Sequence, residues 1–332
     1  MGFFRLLLAL MVLLYHSGVQ PGGYIMGVFA VVSFFLMSGY VTTALIEKYY
    51  RTPRSIGAFL LDRSLRIFPQ FLFYLTAATL LLTIGGAVDP NINGITLRGI
   101  SLNYLMLPLG YYMYLPMPLM LPPAWSLGLE ASFYLVFHPL VTRSLATWAS
   151  VVSFCILSLA MLGYLDADIY GYRLLLGTFV IFDCGRHIFH RRRKTVIGLW
   201  IALAILFVAV LLKSGYTVSP NVEILAGALV GLPCVWRLSH TPYRPIDEFL
   251  GNLSYGVYLN HYCLMLLARA LHWDFHNWPA RLALVAVSLT LSWASYRCIE
   301  LPVLKLRHRK RQAKMKLDVG VANSSRGVFG AQ

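Results

Sequence analysis

From Val196 to Leu212 the sequence runs VIGLWIALAILFVAVLL, with no charged residue and no proline. A segment this apolar must satisfy its own backbone N–H and C=O groups once it leaves water, and a helix does so within one segment. A bilayer core takes about 20 apolar residues per helix, whereas a membrane-barrel strand takes about 10 that alternate apolar with polar. Unbroken runs of this kind recur along the chain, so its spans are helical. Only 12% of the residues are charged, where a soluble protein carries roughly a quarter. The fold class expected is an all-α, polytopic membrane helix bundle.

Ten spans are expected, at about 3–18, 25–46, 67–87, 124–142, 144–163, 169–189, 195–213, 219–237, 249–271 and 280–302. An even number puts both termini on one side. Assigning the loops alternately places twenty Lys and Arg on the side of the termini and two, Arg98 and Lys213, on the other. By the positive-inside rule the basic side is cytoplasmic. The same placement accounts for the formal charge of +15 without nucleic acid, since basic loops meet anionic lipid heads. Both termini are therefore expected on the cytoplasmic side of the membrane. Residues 1–303 form the membrane domain, and residues 304–332 a basic, disordered cytoplasmic tail. The N-terminal apolar run is a retained first helix, because no small-residue cleavage site follows it. The stretch TPRSIGAFLLDRSLR (52–66) is expected to lie on the inner surface. The Pro-rich 88–123 segment is expected to be re-entrant or interfacial, with protein covering its backbone. The five cysteines are scattered through apolar runs and have no ligand spacing, so no metal is expected.

A charge inside a span costs about 2.5–3.5 kcal/mol on insertion scales, so each one needs a reason. Arg5 and His16 are eleven residues apart. That is about three turns and 16 Å of rise, which sets them on one helix face. Each also has a plain reading, Arg5 as a snorkelling anchor and His16 as a polar tip. Glu130 sits at a depth comparable to His16 and could orient or polarise the imidazole; its alternative is a tether to Arg173. Ser254, Tyr258 and His261 form one stripe that could line a cavity or merely pack helices. His138 and Glu300 lie near cytoplasmic ends, where structural roles are expected.

Taken in order, these segments resemble acyltransferase family 3, a family of integral membrane acyltransferases. The Arg–ten residues–His opening of the family is matched by Arg5 and His16, and its second-helix motif by FFLMSGY (Phe34 to Tyr40). R-x-x-R-I-x-P is matched by Arg63 to Pro69, and W-S-L-x-x-E-x-x-F-Y-L by Trp125 to Leu135. L-G-x-x-S-Y-G-x-Y-L-x-H is matched by Leu250 to His261, and E-x-P by Glu300 to Pro302. Where many members carry Asp in G-V-D-x-F-F, this chain reads AVVSFF, with Val32 at that position.

The resemblance implies transfer of an acyl group, usually acetyl, from cytoplasmic acyl-CoA to a hydroxyl of an extracytoplasmic sugar. Such an acceptor is an exopolysaccharide, an O-antigen or a lipid-linked precursor. It implies His16 and Glu130 as candidate catalytic residues and Arg5, Arg63 and Arg66 as donor-binding residues. Ser38, Trp125, Ser254, Tyr258 and His261 would line the substrate path. Partners would be membrane lipid, the glycan or lipid-linked glycan acceptor and polysaccharide-assembly proteins. Two other readings remain open at this point. A transporter or flippase for a lipid-linked sugar would share the embedded charges but would neither hydrolyse nor transfer acyl-CoA. A scaffold in an export complex would be indifferent to His16→Ala.

Overall fold

The computed structural model describes residues 1–90, 92, 94–214, 219–242, 244–275, 277–307 and 309. The described residues are helical, without a strand. Ten helices of fifteen residues or more occupy the ten expected segments. They are α1 (Gly2–His16), α2 (Met26–Tyr49), α3 (Ile56–Thr83), then, after the short α4 (Leu97–Tyr104), α5 (Trp125–Thr142), α6 (Ala146–Met161), α7 (Leu175–Phe189), α8 (Arg193–Ser214), α9 (Pro220–Leu238), α10 (Pro245–Ala270) and α11 (Trp278–Ser295). Among the described residues, five helices are by themselves long and apolar enough to cross a membrane: Met26–Tyr49, Pro53–Thr83, Arg193–Ser214, Pro220–Leu238 and Trp278–Arg307.

Helix starts follow local chemistry. Pro220 and Pro245 open α9 and α10, where a missing N–H costs nothing. The Asn277 side chain accepts from Ala280 N at 2.9 Å and starts α11. Helix α1 lies along α10 and α2, α2 along α7 and α9, and α10 also along α3 and α11. The α2–α7 crossing needs bare backbone: Gly39 faces Phe182 O of α7, and Gly185 faces Tyr40 N of α2. A Cβ at either position would force the helices apart. Helix α8, the most apolar, stands at the rim with most of its residues outward.

Two expectations change. The 52–66 stretch does not lie on a surface by itself. After a single 3-10 turn it is the first part of α3, which runs without a break through Pro69. Its charges are tolerated inside the bundle because Asp62 and Glu300 neutralise them, as described below. Arg307, placed in the tail by the sequence reading, is 5% exposed and belongs to a helical continuation of the bundle. The rest of the tail, residues 308 and 310–332, lies outside the described residues. The cover expected for the backbone groups of the 88–123 segment is in part the segment's own. The fully buried Asn103 side chain donates to Gly99 O and Pro118 O and accepts from Met120 N, all within 3.0 Å. One amide thus satisfies backbone groups that irregular chain would otherwise leave unpaired.

Helix α1 is pinned at its first turn by Asp247, ahead of the expected span at 249. The Asp247 carboxylate accepts from Gly2 N at 2.9 Å and Phe3 N at 2.8 Å, and pairs with the Met1 ammonium at 2.7 Å. Burial works against its charge, but the ammonium and the two N–H donors outweigh it and hold the carboxyl at about 2. The folded pKa is below the unfolded value of about 3.9, so this contribution is complete above that value and is lost as pH falls toward 2. Asp247→Asn is therefore expected to destabilise the protein at neutral pH by on the order of 1 kcal/mol, since the partly exposed pair is screened, and so to lower the thermal midpoint. The difference from wild type should shrink as the medium is acidified through that window. An equal midpoint at neutral pH in the same detergent would remove Asp247 as the anchor of α1.

Candidate active site

Two cavities meet inside the bundle. The first, of about 280 Å³, is basic: Arg5 of α1, Arg63 and Arg66 of α3 and Arg307 line it with Ser38, Ser126, Glu130, Tyr134, Ser254 and Tyr258. The second, of about 560 Å³, is aromatic: Tyr112, Trp125, Tyr172, Tyr258 and Tyr262 line it with His16, Asp168, Arg173 and Arg269. Val31 and Tyr258 line both. Helix α1 therefore presents Arg5 to one cavity and His16 to the other, with about 16 Å of helix rise between them.

The four arginines of the basic cavity are not equivalent. Arg63 pairs with Asp62 at 3.2 Å and lies over the Tyr134 ring. Arg307 pairs with the same Asp62 at 3.1 Å. Arg66 pairs with Glu300 and lies over the Tyr255 ring. Arg5 has no carboxylate at ion-pair distance among the described residues. A guanidinium offers a flat fork of five N–H donors that matches phosphate. The cavity can thus hold an anion, and Arg5 is the one of the four without a carboxylate partner among the described residues. Asp62 and Arg307 were missed by sequence reasoning, and Glu300 was given no site role. The one signal for Glu300 was that its motif and the R-x-x-R motif both sit at the basic side.

Glu130 stands in this basic cavity. Its carboxylate accepts from Ser38 Oγ and from Tyr134 Oη, the latter at 2.5 Å. It lines neither the aromatic cavity nor any contact with His16, so the expected Glu130–His16 pairing is corrected. The tether to Arg173 is absent too: Arg173 pairs with Asp168 at 2.6 Å. Arg173 instead lies over the rings of Trp125, Tyr112 and Tyr172, the Trp125 centroid at 4.7 Å. These contacts hang on a π-helical segment, Ala167–Arg173, whose extra residue per turn redirects side chains into the cavity.

His16 stands at the end of α1 with Nδ1 3.0 Å from Val12 O. Its nearest polar neighbour across the interface is His261 of α10, Nε2 to His16 Nδ1 at 3.2 Å. The two rings are stacked with centroids 5.2 Å apart. His261, expected on the lining, is fully buried and lines neither cavity; it stands behind His16. Of the rest of its stripe, Ser254 lines the basic cavity and Tyr258 both. Tyr258 Oη is 2.6 Å from Ser126 Oγ and donates to Pro123 O at 2.8 Å, so it forms a bonded partition between the cavities. Ser38 lines the basic cavity and Trp125 the aromatic one. Val32 is fully buried beside Gly227 of α9 and lines neither. His138 is structural: its Nε2 meets Tyr50 O at 3.0 Å and its ring stacks on Phe59.

A family model described as an acyltransferase domain matches residues 1–297. An uncharacterized protein of Aquifex aeolicus (strain VF5) is 28% identical over 203 residues, covering 57% of this chain and 90% of that protein. Nodulation protein 10 of Rhizobium leguminosarum bv. viciae is 28% identical over 314 residues, covering 83% of this chain and 82% of that one. No solved structure matches.

Proposed function

The chain belongs to this acyltransferase family, and from that premise we propose that it moves an acyl group, acetyl above all, from acyl-CoA in the basic cavity to a hydroxyl of a sugar acceptor in the aromatic cavity. In this reading all ten long helices cross a bacterial cytoplasmic membrane, both termini and the basic cavity face the cytoplasm, and the aromatic cavity opens outward. The acceptor is a surface polysaccharide or its lipid-linked precursor. One observation carries the proposal: a single helix offers an arginine to a basic cavity and a histidine to the adjoining aromatic one.

The chemistry assigned to the residues is as follows. Arg5, with Arg63 and Arg66 beside it, holds the CoA phosphates by charge-assisted hydrogen bonds. The pantetheine arm passes Tyr258 and brings the thioester to His16. A sugar hydroxyl is far too weak an acid to attack unaided, so His16 takes its proton as general base. The oxygen bonds to the thioester carbonyl carbon, the C–S bond breaks, and the thiolate leaves with the proton returned by the imidazolium. The ester stays on the sugar, and the free thiol of CoA leaves by the basic cavity. The ring faces around Trp125 suit the apolar face of a sugar, and Asp168 and Arg173 can bond its hydroxyls.

Reconstitution in proteoliposomes with acetyl-labelled CoA on the side of the termini tests the reading. Label should appear on a sugar acceptor supplied on the opposite side, and free CoA should accumulate with it. Movement of acceptor across the bilayer without release of CoA would identify a transporter instead.

A further inference from the structure

The two histidines at the end of α1 carry an inference of their own, which rests on the proposed role of His16. Each ring is bonded to the carbonyl one turn earlier on its own helix: His16 Nδ1 to Val12 O and His261 Nδ1 to Val257 O, both at 3.0 Å. A carbonyl oxygen only accepts, so each Nδ1 carries a proton, and in a neutral ring the lone pair is then on Nε2. The second contact closes the logic. His261 Nε2 is 3.2 Å from His16 Nδ1, so its lone pair accepts part of the proton that His16 donates to Val12. His16 is left with Nε2 as its basic nitrogen, on a ring that lines the aromatic cavity.

We propose that His261 is the positioning residue of the reaction: it accepts a hydrogen bond from His16 Nδ1–H, fixes the tautomer in which Nε2 is the base, and receives a stronger bond when that nitrogen takes the acceptor's proton. This is the service a carboxylate commonly performs for a catalytic imidazole, done here by a neutral ring. Its neutrality suits its place. His261 is fully buried, and a carboxylate there would need its own partner. The groups that face the pair from the packed elements are Tyr15 on α1, Tyr258, Tyr262 and Arg269 on α10, and Asp168 and Arg173 across the cavity. None of them is a carboxylate at ion-pair distance from His16 among the described residues. Arg281 of α11, bonded to Ser17 O at 3.3 Å, is the nearest cation that α11 contributes to the end of α1.

The test compares His261→Leu, which keeps bulk and removes the acceptor, with His261→Gln, which supplies an acceptor oxygen at similar reach. The Leu variant should lose turnover by about 10–100-fold, the scale known for partners that orient a metal-bound imidazole, with unchanged KM for acetyl-CoA. The Gln variant should recover most of that loss. Nitrogen-15 spectra of histidine-labelled wild-type protein, with the His16 signals assigned by their loss in His16→Gln, should show Nδ1 protonated and Nε2 bare. Equal turnover of His261→Leu and wild type overturns the proposal, as does equal impairment of the Leu and Gln variants. A His16 signal protonated at Nε2 overturns it even if neither variant reaches the membrane. The two readings separate cleanly. An active His16→Gln defeats the function proposed for the cavity, whereas an inactive His16→Gln beside a fully active His261→Leu defeats only the role of His261.

Discussion

A protein carrying His16→Ala is expected to bind acyl-CoA as wild type does and to transfer almost nothing. His16 lines the aromatic cavity, not the basic one, so the donor phosphates should not register its loss. What disappears is the base that takes the acceptor's proton, a contribution of about 10²–10⁴ in rate. The fold should survive, because the ring's bonds are to a carbonyl of its own helix and to one neighbouring histidine, and both partners keep other options. His261 Nδ1 remains bonded to Val257 O. Turnover, CoA binding and membrane yield measured on one preparation decide the matter. More than half of wild-type turnover would remove His16 from the chemistry.

The second large effect is expected at Arg5. Among the described residues it lacks the carboxylate partner that Arg63, Arg66 and Arg307 each possess. Its fork is therefore available to the donor, and a charge-assisted bond to phosphate is worth about 1.5–3 kcal/mol. Arg5→Ala should raise KM for acetyl-CoA by roughly 10–100-fold at about 1.4 kcal/mol per decade. Arg5→Lys should recover only part of it, since a point charge cannot reproduce two parallel bonds. Arg63→Ala and Arg66→Ala should behave differently. Arg66→Ala strands the buried Glu300 carboxylate and so should lower folded yield as well as affinity, whereas Arg63→Ala leaves Asp62 paired with Arg307 and should cost less yield. An unchanged KM in Arg5→Ala, with weaker use of the acceptor, would place the donor at the wrong end of α1.

The helices themselves were legible because apolar runs and charge breaks are local signals. Among the described residues a long helix occupies each of the ten expected segments, five of these helices being long and apolar enough by themselves to cross a membrane, and the boundaries move most at α3 and at the end of α11. Both shifts have one cause. Sequence reading ended the bundle where charges began, at 52–66 and after 303, but Asp62, Arg63, Arg66, Glu300 and Arg307 compensate one another inside it. Neutralisation between residues hundreds of positions apart leaves no local trace. The shared face of Arg5 and His16 was legible because helix periodicity alone fixes it. The partner of His16 was not. Glu130 lies at a suitable depth, but depth along α5 does not specify azimuth, and its carboxylate turns to Ser38 and Tyr134. The stripe Ser254–Tyr258–His261 was legible as a stripe; that its last member sits behind the first helix rather than on a wall depends on how closely α1 and α10 approach, which Gly2 and Gly251 permit by touching.

The length of α1 has a consequence in membrane mechanics. Its fifteen residues span about 22 Å, less than the about 30 Å of hydrocarbon in an ordinary bilayer. The helix stops at His16, and beyond it lies the large aromatic cavity rather than more apolar helix. In the orientation proposed above, the aromatic cavity takes the place of the outer part of the hydrocarbon layer along this line. On the function proposed above, an acceptor tethered to lipid need not leave its leaflet, nor the thioester cross a full hydrocarbon thickness, for the two to meet. Hydrophobic mismatch at a short helix costs fractions of a kcal/mol per Å, so on the same proposal turnover is expected to vary with the acyl-chain length of the surrounding lipid.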